Sequence, residues 1–188
     1  MKKQKVLVVL GSPRKNGNSA MLAKQAASGA ESAKAECEII FLNELNIKPC
    51  NACDHCLSKP GNACIIKDDM QKLYPKLLKA DAIVMAGPIY WFTVSAQTKL
   101  FMDRWYALNW TSAHALKGKK IGIILTYGDV DPYAAGAVNA IRTYQDAFRF
   151  IGAPIVGMVY GTGNEPGEVK KDKKLMQKAF DLGKKLVK

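Results

Sequence analysis

The stretch Gly11-Ser12-Pro13-Arg14-Lys15-Asn16-Gly17-Asn18-Ser19 gathers hydroxyls, a guanidinium and an ammonium group between two glycines. It follows the apolar run Val6–Leu10 and precedes a helical pattern reaching about Ala33. The order is strand, loop, helix N-terminus. Unpaired N–H groups at a helix start, with hydroxyl and guanidinium donors beside them, are the partners a phosphate takes. The spacing matches neither G-x-x-x-x-G-K-[ST] nor G-x-G-x-x-G, so the triphosphate loop and the simple dinucleotide fingerprint are both excluded. A plain strand-to-helix turn is the alternative, but few such turns place Ser12, Arg14, Asn18 and Ser19 around one helix start.

Two further loops carry chemistry. Gly87-Pro88-Ile89-Tyr90-Trp91-Phe92 sets three consecutive aromatics directly after a buried apolar run. Pro88 fixes φ and removes a donor, and the remaining backbone N–H groups and rings suit a flat, heteroatom-edged ligand. Core packing or an oligomer interface would use the same aromatics. Thr126-Tyr127-Gly128-Asp129-Val130-Asp131 adds hydroxyls and another ring. One phosphate plus one planar heterocycle describes FMN better than ATP, because nothing here coordinates Mg²⁺ as a phosphate-binding loop does.

A fourth signal is Cys50-x2-Cys53-x2-Cys56-x7-Cys64. Four thiols at short spacing suit an iron–sulfur cluster. Zinc, with His55 as a further ligand, and unligated thiols remain as alternatives. Cys37 is expected to be a buried core thiol, and His114 to have a neutral surface role.

These residues need a scaffold. Strand candidates are Lys5–Leu10, Glu38–Leu42, Ala82–Ala86, Ile121–Thr126 and Pro154–Val159, mostly continuous apolar runs of the kind buried on both faces of a parallel sheet. Helices are predicted over about 19–33, from Met70 after an Asp68 cap, over about 95–108, from Asp131-Pro132 onward, and at the C-terminus. The alternation predicts an α/β doubly wound five-stranded parallel sheet in order 2-1-3-4-5, with helices on both faces. Residues 1–188 form one domain, and residues 43–67 are a Cys-rich insertion long for an α/β connection. The carboxyl ends of strands 1, 3 and 4 then line the site.

The chain has 188 residues, 48% hydrophobic and 23% charged, which suits one soluble globular core. No apolar run nears the roughly 20 residues of a membrane span. Lys2, Lys3 and Lys5 imitate a signal peptide, but the apolar stretch is too short. An odd cysteine count, five, argues against a secreted disulfide framework, so a cytoplasmic location is expected. The net charge of +12 invites a nucleic-acid reading. However, the densest lysines, from Lys170 to Lys188, alternate with Leu175, Ala179, Leu182 and Leu186 at helical spacing. That predicts a solvated helix face, with no nucleic-acid or membrane partner.

Gly11-Ser12-Pro13-Arg14-x-x-Gly17-Asn18-Ser19, Gly87-Pro88-Ile89-Tyr90 and Ser95-Ala96-Gln97-x-Lys99-x-Phe101-x-Asp103-Arg104 together resemble the flavodoxin-like NAD(P)H-dependent FMN reductase family. The multimeric flavodoxin and iron–sulfur flavoprotein branch is the nearest. The resemblance implies a flavodoxin-like fold, bound FMN, and a homodimer or homotetramer with flavin sites near subunit interfaces. Ser12, Arg14, Gly17, Asn18 and Ser19 would hold the FMN phosphate. Pro88, Ile89, Tyr90, Trp91 and Phe92 would flank the isoalloxazine, with Thr126, Tyr127, Gly128 and Asp129 on its other side. In iron–sulfur flavoproteins a compact cysteine motif in this insertion binds a [4Fe–4S] cluster, which would assign Cys50, Cys53, Cys56 and Cys64 that role. The implied activity is transfer of hydride or electrons from NAD(P)H through FMN to a quinone, flavin, nitro or azo compound, or redox protein. The alternative is a non-enzymatic flavodoxin-like or iron–sulfur flavoprotein electron carrier. True flavodoxins are acidic, which disfavours the flavodoxin form of that alternative for this basic chain.

Overall fold

The computed structural model describes residues 3–58, 63–109 and 114–188. In chain order the strands are β1 (Lys5–Leu10), β2 (Glu36–Phe41), β3 (Ala82–Tyr90), β4 (Thr93–Val94), β5 (Lys120–Tyr127) and β6 (Ile155–Thr162). The helices are α1 (Asn18–Ser32), α2 (Met70–Lys79), α3 (Ala96–Asp103), α4 (Ala137–Ile151) and α5 (Lys173–Val187). The five long strands are parallel and run β2-β1-β3-β5-β6. Counting those alone, this is the expected 2-1-3-4-5 order. The added strand, β4, folds back antiparallel on the end of β3.

The sheet has a core on each face, set by the two-residue alternation of strand side chains. Val6, Val8, Leu10, Val84 and Ile124 pack under α1 and α5. Leu7, Val9, Ile83, Met85, Ile121 and Ile123 pack under α2, α3 and α4. Burying each such Val, Leu or Ile contributes about 1.5–3 kcal/mol. The lysine-rich helix behaves as expected: Leu175, Ala179, Leu182 and Leu186 of α5 are buried, and its lysines lie at least partly exposed.

Two glycines let α1 and α5 touch backbone to backbone. A Cβ on Gly29 would stand 1.9 Å from the Phe180 carbonyl oxygen, and one on Gly183 would stand 1.9 Å from that of Ala26. Alanines over the rest of the α1 face keep the helix low on the sheet.

Several boundaries differ from expectation for local reasons. Asp131 does cap a turn: its Oδ1 accepts from the N–H groups of Tyr133 and Ala134, at 2.7 and 2.9 Å. That turn closes at Gly136, whose φ of +69° ends it, and α4 begins only at Ala137. The third helix tightens into a 3₁₀ turn at Arg104–Leu108. β3 and β6 each run beyond their predicted ends, because parallel pairing with β5 continues through Pro88 and Thr162.

Two side chains are corrected. Cys37 is only half-buried, on the edge strand β2. Burial, and then Glu31, push its thiol up to about 11. His114 is buried rather than on the surface. Its Nδ1 accepts from the Leu116 N–H at 3.1 Å, and Nε2 lies 3.2 Å from the Trp105 carbonyl. Nε2 therefore carries the proton, and burial lowers the pKa, which keeps the ring neutral.

Candidate functional site

The carboxyl ends of β1, β3 and β5 converge on one cleft. In a doubly wound sheet this is the switch point, where adjacent crossovers leave on opposite faces. The cleft has a volume of about 180 Å³ and is lined by Ser12, Arg14, Gly17, Asn18, Ser19, Pro88, Ile89, Tyr90, Thr126, Tyr127, Gly128, Gly163 and Asn164. A depression of about 250 Å³ lies at the opposite end of the sheet, around Lys5, Glu38 and Lys76. There the Glu38 and Lys76 charges pair with each other, and no helix N-terminus opens onto it.

The anchor end of the cleft is the start of α1. Its N-cap is Gly17, in extended conformation, and no side chain caps it. The first-turn N–H groups thus face an end that also holds the buried Ser12 and Ser19. Ser12 Oγ accepts from the Arg14 N–H at 3.1 Å, and the Gly17 N–H donates to the Arg14 carbonyl at 3.1 Å, which closes the loop into a tight turn. The Arg14 side chain stays exposed at the mouth. The Asn18 carboxamide is spent elsewhere: it donates to the Glu165 carbonyl at 3.0 Å and accepts from the Val169 N–H at 3.3 Å. The Asn18 backbone N–H and the second Nδ2 hydrogen are left for a ligand.

Gly11 seats this loop. The Ser95 hydroxyl, which also caps α3, donates to the Gly11 carbonyl at 2.7 Å. A Cβ on Gly11 would stand 1.9 Å from Thr98 Oγ1. Gly11→Ala is therefore expected to displace α3 or the loop and to cost about 1–3 kcal/mol by overpacking, read as a lowered urea midpoint.

The ring-flanking residues divide. Pro88, Ile89 and Tyr90 line the cleft, but Trp91 and Phe92 do not. They form the two-residue turn of the β3–β4 hairpin, where Tyr90 pairs with Thr93. Both have positive φ, +49° and +67°, the signature of a type I′ turn that Asn-Gly usually supplies. Two aromatics in the left-handed region are strained, and such strain concentrates at ligand-binding turns. The turn is braced by the Asn139 side chain, which donates to the Phe92 carbonyl at 3.1 Å. Trp91 is 91% exposed. On the far wall Thr126, Tyr127 and Gly128 line the cleft and Asp129 does not. Burial first, then the neighbouring Tyr160 and Asp131, raise the Tyr127 pKa, so its phenol keeps its proton.

Gly163 and Asn164, after β6, were not anticipated. The topological rule points to strands 1, 3 and 4, and the predicted last strand stopped short of this turn. The available signal was the polar Gly161-Thr162-Gly163-Asn164 run itself.

The cysteine segment does not gather into a cage. Among the described residues no three His, Cys, Asp or Glu side chains are placed to share a metal ion. Cys50 and Cys53 are exposed, and Cys56 and Cys64 are half-buried. The expected ligand set Cys50, Cys53, Cys56 and Cys64 is thus not drawn in to metal-sharing distance, although burial and the neighbouring Cys64, Cys53 and Cys50 all raise the Cys56 thiol pKa. Cys64 Sγ accepts from Arg104 Nη2 at 3.3 Å, and its carbonyl from Gln71 at 2.8 Å, so it is held to the scaffold. Arg104 itself is buried against Asp68, and both side chains are almost wholly out of solvent. Arg104 also donates to the Lys48 carbonyl at 2.8 Å. Burial opposes the charge on Asp68, but Arg104 and the Lys48 and Met70 N–H groups outweigh it and lower its pKa.

The chain can now be set beside known proteins. It is 34% identical to an iron–sulfur flavoprotein of Archaeoglobus fulgidus over 184 residues, which is 97% of this chain and 78% of that one. It is 30% identical over 190 residues to an iron–sulfur flavoprotein of Methanocaldococcus jannaschii, covering 97% of this chain and 95% of the other. In fold it matches the NAD(P)H:quinone oxidoreductase from Methanothermobacter marburgensis with a TM-score of 0.74 at 18% identity, over 98% and 96% of the two chains. The family model for NADPH-dependent FMN reductase matches residues 4–166. The chain belongs to the NADPH-dependent FMN reductase family, an enzyme family of flavodoxin-like fold.

Proposed function

We propose that this cleft holds FMN and that the protein passes electrons from NAD(P)H through it to a small-molecule or protein acceptor. One observation carries the reading: an uncapped helix N-terminus flanked by buried hydroxyls opens into the same cleft as the ends of β3 and β5. The residues present fit the group. The first-turn N–H groups of α1 and the Ser12 and Ser19 hydroxyls bind the phosphate, and Arg14 balances its charge from the mouth. Gly17 keeps the backbone close to it. Pro88, Ile89 and Tyr90 orient one side of the ring. Thr126, Tyr127 and Gly128 orient the other side. When bound, FMN supplies the hydride chemistry itself, so the side chains need only bind, orient and exclude water. No step is routed through the cysteines.

Trp91 and Phe92 stand exposed beside the cleft. In this reading they help form the acceptor pocket against a second copy of the chain, in a homodimer or homotetramer. The Lys-rich surface is a solvated face, and no described helix is long and apolar enough to cross a membrane.

The purified protein is expected to bind FMN stoichiometrically. Its absorbance near 450 nm should bleach anaerobically with NADH or NADPH and return on adding a quinone. Protein that binds no added FMN sinks the reading. Protein that binds FMN but turns over no reduced nicotinamide revives the electron-carrier alternative.

A further inference from the structure

We propose that Asn164, on the turn after β6, contacts the flavin ring directly and contributes to how tightly the site holds it. Its carboxamide would face the carbonyl-and-imide edge of the ring. The inference rests on the reading of the cleft as an FMN site.

The turn is built into the cleft from both sides. Toward β5, the Gly163 N–H donates to the Tyr127 carbonyl at 2.8 Å, and the Thr162 hydroxyl to the Asp129 carbonyl at 2.9 Å. Toward α1, the buried Asn18 carboxamide clasps Glu165 and Val169. Within the turn, the Glu168 carboxylate accepts from the N–H groups of Asn164 and Glu165, at 2.7 and 3.1 Å. Each of these bonds holds the turn in place and uses a polar group that would otherwise be open to a ligand.

The Asn164 side chain is the exception. It lines the cleft and makes no hydrogen bond to any described residue. Its Oδ1 lies 2.5 Å from where a Cβ on Gly128 would stand, so the glycine at 128 leaves the room the carboxamide occupies. A carboxamide offers both a donor and an acceptor. A phosphate offers acceptors only and is already served by α1. An edge that alternates C=O with N–H is the complement of a carboxamide, and the Gly128 wall is the ring side of the cleft.

The test is Asn164→Ala, titrated with FMN and with riboflavin by quenching of flavin fluorescence, with thermal unfolding as the folding control. Both flavins are expected to weaken by the same factor, about 3–10-fold. Gly128→Ala, which displaces the carboxamide, should reproduce that loss, and the double variant should be no worse than either single one. Asn164→Asp should lower the midpoint potential of bound FMN, because a carboxylate beside the ring opposes its reduction. Unchanged affinity for both flavins in Asn164→Ala overturns the proposal, as does a loss confined to FMN, which would place the residue at the phosphate. A wild-type protein that binds neither flavin overturns the functional reading itself, and this inference with it.

Discussion

Asp68→Ala is expected to lower the stability of the fold by about 3–5 kcal/mol, the usual cost of stripping one partner from a buried ion pair. Arg104 would keep its charge in a site that is 1% exposed, with only the Lys48 carbonyl and Cys64 Sγ left to accept from it. The urea midpoint reads the loss directly. Asp68→Leu with Arg104→Met should regain only part of it: no charge is left unpaired, but the Lys48 and Met70 N–H groups and the Lys48 carbonyl lose their side-chain partners. A pH profile gives a second readout. Asp68 has a folded pKa below its unfolded value of about 3.9. Its contribution is therefore complete above that pH and fades as pH falls through the lowered folded value. Asp68→Asn should remove that acid-side decline. If Asp68→Ala unfolds at the wild-type midpoint, the pair is not what holds Lys48 and Asp68 to the 3₁₀ turn at Arg104.

Arg14→Glu is expected to weaken FMN about 100-fold, since it removes a charge-assisted phosphate contact and sets a like charge in its place. Riboflavin, which lacks the phosphate, should bind both proteins equally. The Arg14 side chain is exposed, and its recorded hydrogen bonds are through the backbone, so the fold should be untouched. Paired fluorescence titrations measure the ratio. Equal losses for the two flavins would place the phosphate elsewhere than at the start of α1.

The parts of the site that could be read from sequence share one property: the information was local. The glycine, hydroxyl and arginine pattern at 11–19 specifies a turn and a helix start within a few bonds of itself, and both are there. The apolar runs specified buried parallel strands, and with them the switch point. What escaped depends on contacts between distant segments. That Asn18 is a clasp depends on Glu165 and Val169, at the other end of the chain. The start of α4 is delayed by Gly136, where a Cβ would lie 2.5 Å from the Phe92 Cβ. Trp91 and Phe92 have no turn propensity, and nothing in their types announces positive φ. The cysteine spacing reads as a cage, but spacing does not show that Cys64 also accepts from the buried Arg104, 40 residues on.

The glycine contacts between α1 and α5 bear on how the protein comes into being. α1 is synthesised well before α5, and Gly29 meets its partner Phe180 only once that later helix has been made. Contacts between segments so distant must first overcome loop closure, and during synthesis the early helix waits with its alanine face bare. The start of the cleft is thus made early and completed late. A ligand that also needs the ends of β5 and β6 would therefore favour the finished molecule over the partly made one.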